Sequence, residues 1–205
     1  MPDSVNEADF TQFLDTIRRF TNEKLKPAEL EIDDTGEIPE PIVEQMRELG
    51  LFGMTIPQQY GGLGLSMEQQ VRTTFEFTQT SAAYRARFST TLGLASQAIL
   101  FNGRREQCET YLPKLASGAM TASFALTEPG AGSDAGAITT RARLDGGDYV
   151  LDGQKCYITN APEADLFVVM ARTGPAQSGS SGISAFLVEA GTAGLSTGPI
   201  DAKMG

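Results

Sequence analysis

Near residue 118 of this 205-residue chain, apolar residues stop recurring every three or four positions and begin to alternate. The two periods bury themselves differently. A 3.6-residue period lays an apolar stripe along a helix, whereas a two-residue period turns one side of a strand toward a core. A chain that switches once is expected to fold as two bodies, residues 1–118 helical and residues 119–205 built from strands.

In the first half, Phe10, Phe13, Leu14, Ile17 and Phe20 share one helix face, and Ile42, Val43, Met46 and Leu49 share another that stops at Gly50. Residues 29–39 between them read as a charged connector, and residues 53–65, with Gly61-Gly62-Leu63-Gly64, as a loop. Ser66 with Gln69 three positions on predicts a capping box that opens a helix to about residue 79. Residues 82–101 predict a longer, well-buried helix, and residues 104–117 a last one that Pro113 should bend or break. Five helices with short connections imply a bundle.

In the second half, residues 121–126, 139–144, 154–159, 166–172 and 183–188 have strand patterning. Asp145-Gly146-Gly147-Asp148 and Asp152-Gly153 are tight-turn sequences, and residues 173–182 form a Gly/Ser/Pro loop. The expected fold class is α+β and multidomain: an all-α bundle followed by an antiparallel β-barrel or sandwich.

Composition narrows the chemistry. There is no histidine, which excludes Ser-His-Asp and Cys-His machinery and histidine-based metal sites; no metal site is expected. Acidic residues outnumber basic ones 26 to 16, giving a net charge of −10, so the chain is a poor partner for nucleic acid. Cys108 and Cys156 suggest no redox motif and read as two reduced thiols in a cytoplasmic protein. The acidic N-terminus is unlike a signal or transit peptide, and the longest apolar runs, residues 92–101 and 166–171, are too short to span a bilayer.

The densest cluster of special residues is Phe124-Ala-Leu-Thr-Glu-Pro-Gly-Ala-Gly-Ser-Asp134. Its Gly130-x-Gly132-x-x-Ala135 spacing imitates a dinucleotide fingerprint, but a strand rather than a helix follows, which rejects that reading. Small residues here still let a ligand approach the backbone, with hydroxyls from Thr127 and Ser133; a plain strand connection also accounts for the pattern. Glu128 and Asp134 read better as exposed loop acids or turn caps than as a catalytic carboxylate pair. A Lys155–Tyr157 proton relay is disfavoured, because strand residues two apart share a face without converging on a ligand.

This segment resembles the first signature of the acyl-CoA dehydrogenase family. It is followed by Tyr149-Val-Leu-Asp-Gly-Gln-Lys-Cys-Tyr-Ile-Thr-Asn-Ala161, Ala171-Arg172-Thr173, Phe186-Leu-Val-Glu189 and Lys203-Met-Gly205. Upstream, Ile56-Pro-Gln-Gln-Tyr-Gly-Gly-Leu-Gly64 and Tyr111-Leu-Pro-Lys-Leu-Ala-Ser-Gly118 resemble family segments too. The resemblance covers essentially the whole chain, in order.

It implies an N-terminal helical domain, a middle β domain and a C-terminal bundle, with FAD against the β domain. Phe124, Leu126, Thr127, Gly132 and Ser133 would contact the cofactor, with Leu126 and Thr127 near the isoalloxazine edge. Ile158 would line the ring and Thr159 would bond near its reactive nitrogen. Tyr157 stands where many members carry Trp. Ser133 would also reach the thioester end of an acyl-CoA substrate, and Ser180, with Ser181, the CoA moiety.

The implied reaction is oxidation of an acyl-CoA to the trans-2-enoyl-CoA. Its Glu base comes from the C-terminal bundle, so the chain reads as a member cut inside its middle domain. The resemblance assigns no catalytic residue here and implies that the 205 residues alone are inactive. An electron-transfer flavoprotein or oxygen would take the electrons, and a homo-oligomer, tetramer or dimer, is implied. The alternatives are a related flavoprotein with other chemistry (oxidase, monooxygenase or desulfinase) or a non-catalytic acyl-CoA-binding scaffold.

Overall fold

The computed structural model describes residues 5–200, which fall into two compact units dividing between Met120 and Thr121. The first is helical. Helix α1 (Glu7–Phe20) begins at Asn6, whose side chain accepts from Asp9 N at 3.0 Å; acids in its first turn and Arg18 and Arg19 in its last complement the helix dipole. Phe10, Leu14, Ile17 and Phe20 are buried, as their spacing predicts.

The chain then passes through a π turn (Thr21–Leu25) and a 3-10 turn into α2 (Glu29–Thr35), which ends at Gly36 with φ of 73°. The expected connector over residues 29–39 is thus largely helical. Only Ile32 of its seven helical residues is buried, so no apolar period is there to be read. Polar ties hold it instead: the Glu29 carboxylate accepts from Ser81 N at 2.9 Å and from the Thr80 hydroxyl.

Helix α3 (Glu40–Glu48) buries Ile42, Val43 and Met46 and gives way to Gly50 in the left-handed region. Helix α4 (Met67–Phe77) carries the predicted capping box, with Ser66 Oγ accepting from Gln69 N and Gln69 Oε1 accepting from Ser66 N. Ser66→Ala removes one of these reciprocal bonds and is expected to cost about 1 kcal/mol, readable as a lower unfolding midpoint by circular dichroism.

The predicted long helix is present as α5 (Ala82–Thr90), a π turn (Thr91–Ala95) and α6 (Ser96–Asn102). Tyr84, Leu92 and Ile99 are buried, but Leu94 and Phe101 are exposed, so the helix is less enclosed than its composition suggests. The Tyr84 hydroxyl donates to Leu25 O at 2.8 Å; burial, with Glu29 and Glu31 nearby, pushes its pKa up to about 12. Helix α7 (Arg105–Ala116) runs through Pro113 rather than breaking there. Pro113 lies in the last turn, where a missing N–H forfeits one bond and little helix remains to disrupt.

The second unit is built on one five-stranded sheet of β1 (Ala122–Ala125), β2 (Arg141–Asp145), β3 (Asp148–Asp152), β4 (Leu166–Arg172) and β5 (Ile183–Glu189). The expected all-antiparallel barrel or sandwich is not what forms. Strand β4 pairs antiparallel with β5 along its full length, but parallel with β1 (Ala122↔Leu166 to Ala125↔Val169) and with β2 at Arg141↔Arg172. The sheet is mixed, and among the described residues it shows no closure into a barrel. Alternation reports which face is buried and is blind to strand direction, so the sequence could not separate these cases. The 40 residues between β1 and β4 bring the chain back in its starting direction. The β2–β3 hairpin turns at Gly146 and Gly147, both with positive φ, as a two-residue hairpin turn of this kind requires.

Residues 154–159, expected as a strand, belong to no strand. Tyr157 has φ of 57° and Asn160 of 62°, which is incompatible with a continuing ladder.

Candidate functional site

A buried ion pair organises the second unit around the glycine-rich segment. Glu128 is almost fully buried, not the exposed loop acid its setting suggests. One carboxylate oxygen accepts from Thr139 N (2.6 Å) and Thr139 Oγ1 (2.8 Å), the other from Thr140 N (2.9 Å) and Lys155 Nζ (2.8 Å). Burial alone would raise the Glu128 pKa, but Lys155 and the Thr139 and Thr140 donors outweigh it and hold the carboxyl well below the usual carboxylate range. A carboxylate so engaged has no free oxygen with which to take a substrate proton.

Lys155 also donates to Leu126 O at 2.9 Å, Cys156 N to Thr127 O at 2.9 Å, and Ser123 Oγ to Thr159 O at 2.7 Å. These bonds join the end of β1 to residues 155–159. They bring together five of the predicted site residues: Leu126, Thr127, Tyr157, Ile158 and Thr159. Phe124 is half-buried in β1, opposite Val168. The Tyr157 side chain is 72% exposed on a left-handed backbone position, which costs a bulky residue free energy and is uncommon outside functional sites. The Lys155–Tyr157 relay does not form, since Lys155 is committed to Glu128 and Leu126.

Past Leu126, Glu128 and Ala131 exchange both backbone bonds (2.9 and 3.1 Å) in a tight turn that leaves Gly132 and Ser133 exposed. Asp134 is a turn cap, accepting from Gly136 N at 3.1 Å. Ser180 and Ser181 lie exposed in a 3-10 stretch (Ala176–Gly182). A Cβ on Gly136 would stand 3.7 Å from Ser180 N, so this loop abuts the one that follows Ser133.

The residues present suit a planar aromatic group with a polar rim. Leu126, Tyr157 and Ile158 offer apolar surface beside the hydroxyls of Thr127 and Thr159, and a Cβ at Gly130 or Gly132 would meet nothing within 4 Å, so the backbone there is open to a ligand. Residue patterns alone missed three structural members: Ser123, the Glu128–Lys155 pair and Arg172. Nothing local marks a pair 27 positions apart, and nothing beside Arg172, at the end of an apolar run, marks its acceptors at Gly136 and Ile138.

The family model described as "Acyl-CoA dehydrogenase, N-terminal domain" matches residues 7–119, and that described as "Acyl-CoA dehydrogenase, middle domain" matches residues 123–205. An acryloyl-CoA reductase (NADH) of Anaerotignum propionicum is 43% identical over 190 residues, 92% of this chain and 48% of the relative. The butyryl-CoA dehydrogenase of Megasphaera elsdenii has a similar structure (TM-score 0.89, 32% identity, covering 100% of this chain and 54% of that one). So has a glutaryl-CoA dehydrogenase of Mycobacterium smegmatis in complex with FADH2 (TM-score 0.86, 31% identity, 98% and 50%). The chain spans about half the length of the curated relatives it matches. With both domain models matched in order over nearly its whole length, the chain belongs to the acyl-CoA dehydrogenase family.

Proposed function

We propose that this chain is the helical and flavin-holding part of an FAD-dependent acyl-CoA dehydrogenase. In this reading residues 1–118 and 119–205 are its N-terminal and middle domains. The reaction is α,β-dehydrogenation of an acyl-CoA thioester to the trans-2-enoyl-CoA. The observation that carries the reading is the strained, exposed Tyr157, tied through residues 155–159 to Leu126 and Thr127.

FAD, when bound, supplies the two-electron acceptor. Leu126, Tyr157 and Ile158 would pack on its ring and keep water from it, with Phe124 contributing from β1. Thr127 and Thr159 would orient the ring edge by hydrogen bonds, with Gly132 allowing close backbone approach. Ser133 positions the thioester end of the substrate and Ser180 meets its CoA moiety. The protein thus binds and orients, while the cofactor carries the redox step. An electron-transfer flavoprotein would be the electron-accepting partner. We place the protein in the cytoplasm as a homo-oligomer; among the described residues both cysteines are free, in keeping with a reducing compartment.

The reaction also needs a carboxylate base, and Glu128 is locked in its ion pair. The 205-residue chain with FAD and butyryl-CoA is therefore expected to form no enoyl-CoA. Enoyl product at rates above the protein-free control would contradict this. Tyr157→Ala should weaken FAD binding about tenfold while Tyr157→Phe preserves it, because the ring and not the hydroxyl is used. Equal affinity of all three proteins in a flavin fluorescence titration would remove Tyr157 from the site.

A further inference from the structure

Arg172, at the end of β4, is buried, yet among the described residues no carboxylate pairs with it. Its guanidinium is satisfied by backbone carbonyls drawn from two separate loops. Nε donates to Ile138 O at 3.0 Å and one terminal nitrogen to Gly136 O at 2.5 Å. The other terminal nitrogen reaches Gly179 O at 3.2 Å and Pro175 O at 3.4 Å. Two acceptors lie just after Ser133 and two just before Ser180.

Each loop also has bonds of its own, such as Ala137 N to Asp134 O at 3.1 Å in the first and Ser178 N to Pro175 O at 3.0 Å in the second. The first is shaped by Asp134 and Gly136, and the second is closed at its base by Thr173 N and Gly174 N donating to Gly182 O at 2.9 and 3.0 Å. A cation buried without a counter-charge is costly, so its retention at this junction needs a compensating gain. The planar fork of arginine supplies one, since its five fixed donors meet four acceptors on the two loops at once, whereas the ammonium of lysine has three donors.

We infer that Arg172 is a positioning residue that clamps the Ser133-bearing loop to the Ser180-bearing loop and so fixes the spacing between the two ends of the acyl-CoA site. This rests on the proposed function for the identity of the ligand. The clamp itself rests on the four carbonyl contacts alone. Residues 124–127 and 155–159 have their own ties through Lys155, Cys156 and Ser123, so flavin affinity is expected to depend on Arg172 much less than thioester affinity does.

The test compares the chain with Arg172→Lys and Arg172→Met by amide hydrogen exchange and by titration with FAD and with butyryl-CoA. In Arg172→Lys, exchange in residues 135–138 and 176–182 should rise together by about tenfold while residues 185–188 stay protected. Butyryl-CoA affinity should fall about tenfold, with FAD affinity changed less than about threefold. Exchange that rises in only one loop, or in neither, overturns the clamp. Parallel losses of FAD and butyryl-CoA affinity overturn the selective role and leave Arg172 a general structural residue. Should Arg172→Met fail to fold, Arg172→Lys decides alone. No butyryl-CoA binding by the unaltered chain overturns the substrate side of the inference together with the proposed function, and the exchange result still decides the clamp.

Discussion

Lys155→Met is expected to destabilise the second unit by about 3–5 kcal/mol, because it leaves the Glu128 carboxylate buried without its cation. The Lys155 side chain is 11% exposed and that of Glu128 3%, so solvent cannot take the partner's place. The cost should be largest in this single variant. Adding Glu128→Gln removes the stranded charge, and the double variant should cost less than the sum of the two single changes. Urea unfolding followed by circular dichroism measures this; with no Trp in the chain, tryptophan fluorescence is not an option. Strict additivity would show that the pair is not energetically coupled.

The same pair sets a pH dependence. Folding lowers the Glu128 pKa from its ordinary value of 4.5, so the unfolded chain binds the proton more readily than the folded one. The stabilisation is complete above the ordinary carboxylate range and is lost as the pH falls below it toward the folded value. The difference in stability between the unaltered chain and the double variant should therefore shrink between about pH 5 and pH 2. A difference that is flat or grows over that interval would contradict the assignment.

The second large effect is expected at Gly153, which leads from β3 into the segment carrying Tyr157. A Cβ there would fall 2.4 Å from Thr140 Oγ1 and 2.7 Å from both Thr140 Cα and Cβ. Because backbone is among the obstructing atoms, no rotamer change relieves the clash. Thr140 N is one of the donors to Glu128, so the displacement reaches the ion pair as well. Gly153→Ala should cost about 3 kcal/mol and weaken FAD binding by shifting residues 154–159. Gly130→Ala is the control: nothing lies within 4 Å of its Cβ position, and a change within about 0.5 kcal/mol is expected. Comparable losses at the two glycines would show that the close approach at Gly153 does not govern stability.

What could be read from the residues is what repeats locally. The apolar face of α1 and the Ser66–Gln69 box are periodic or short-range signals, and both were legible. Helix α2 was not, because one buried side chain makes no period. Strand direction was not, because parallel and antiparallel partners demand the same alternation. The failure at residues 154–159 has a different origin. Lys155, Cys156 and Ser123 pull that segment onto β1 by long-range bonds, which override its strand-like composition and force Tyr157 into a left-handed position. The candidate site followed the same division. Its candidate ligand residues were named by family resemblance, while Glu128 and Lys155, 27 positions apart, and Arg172, with acceptors 34 and 36 positions away at Ile138 and Gly136, left no local mark.

Residues 124–133 and 157–159 are expected to hold a flavin together. Amide exchange of the chain with and without FAD tests it most directly. One FAD should bind per chain, with new protection concentrated in residues 124–133 and 157–159. Absence of FAD binding, or protection that appears only outside both segments, would contradict it.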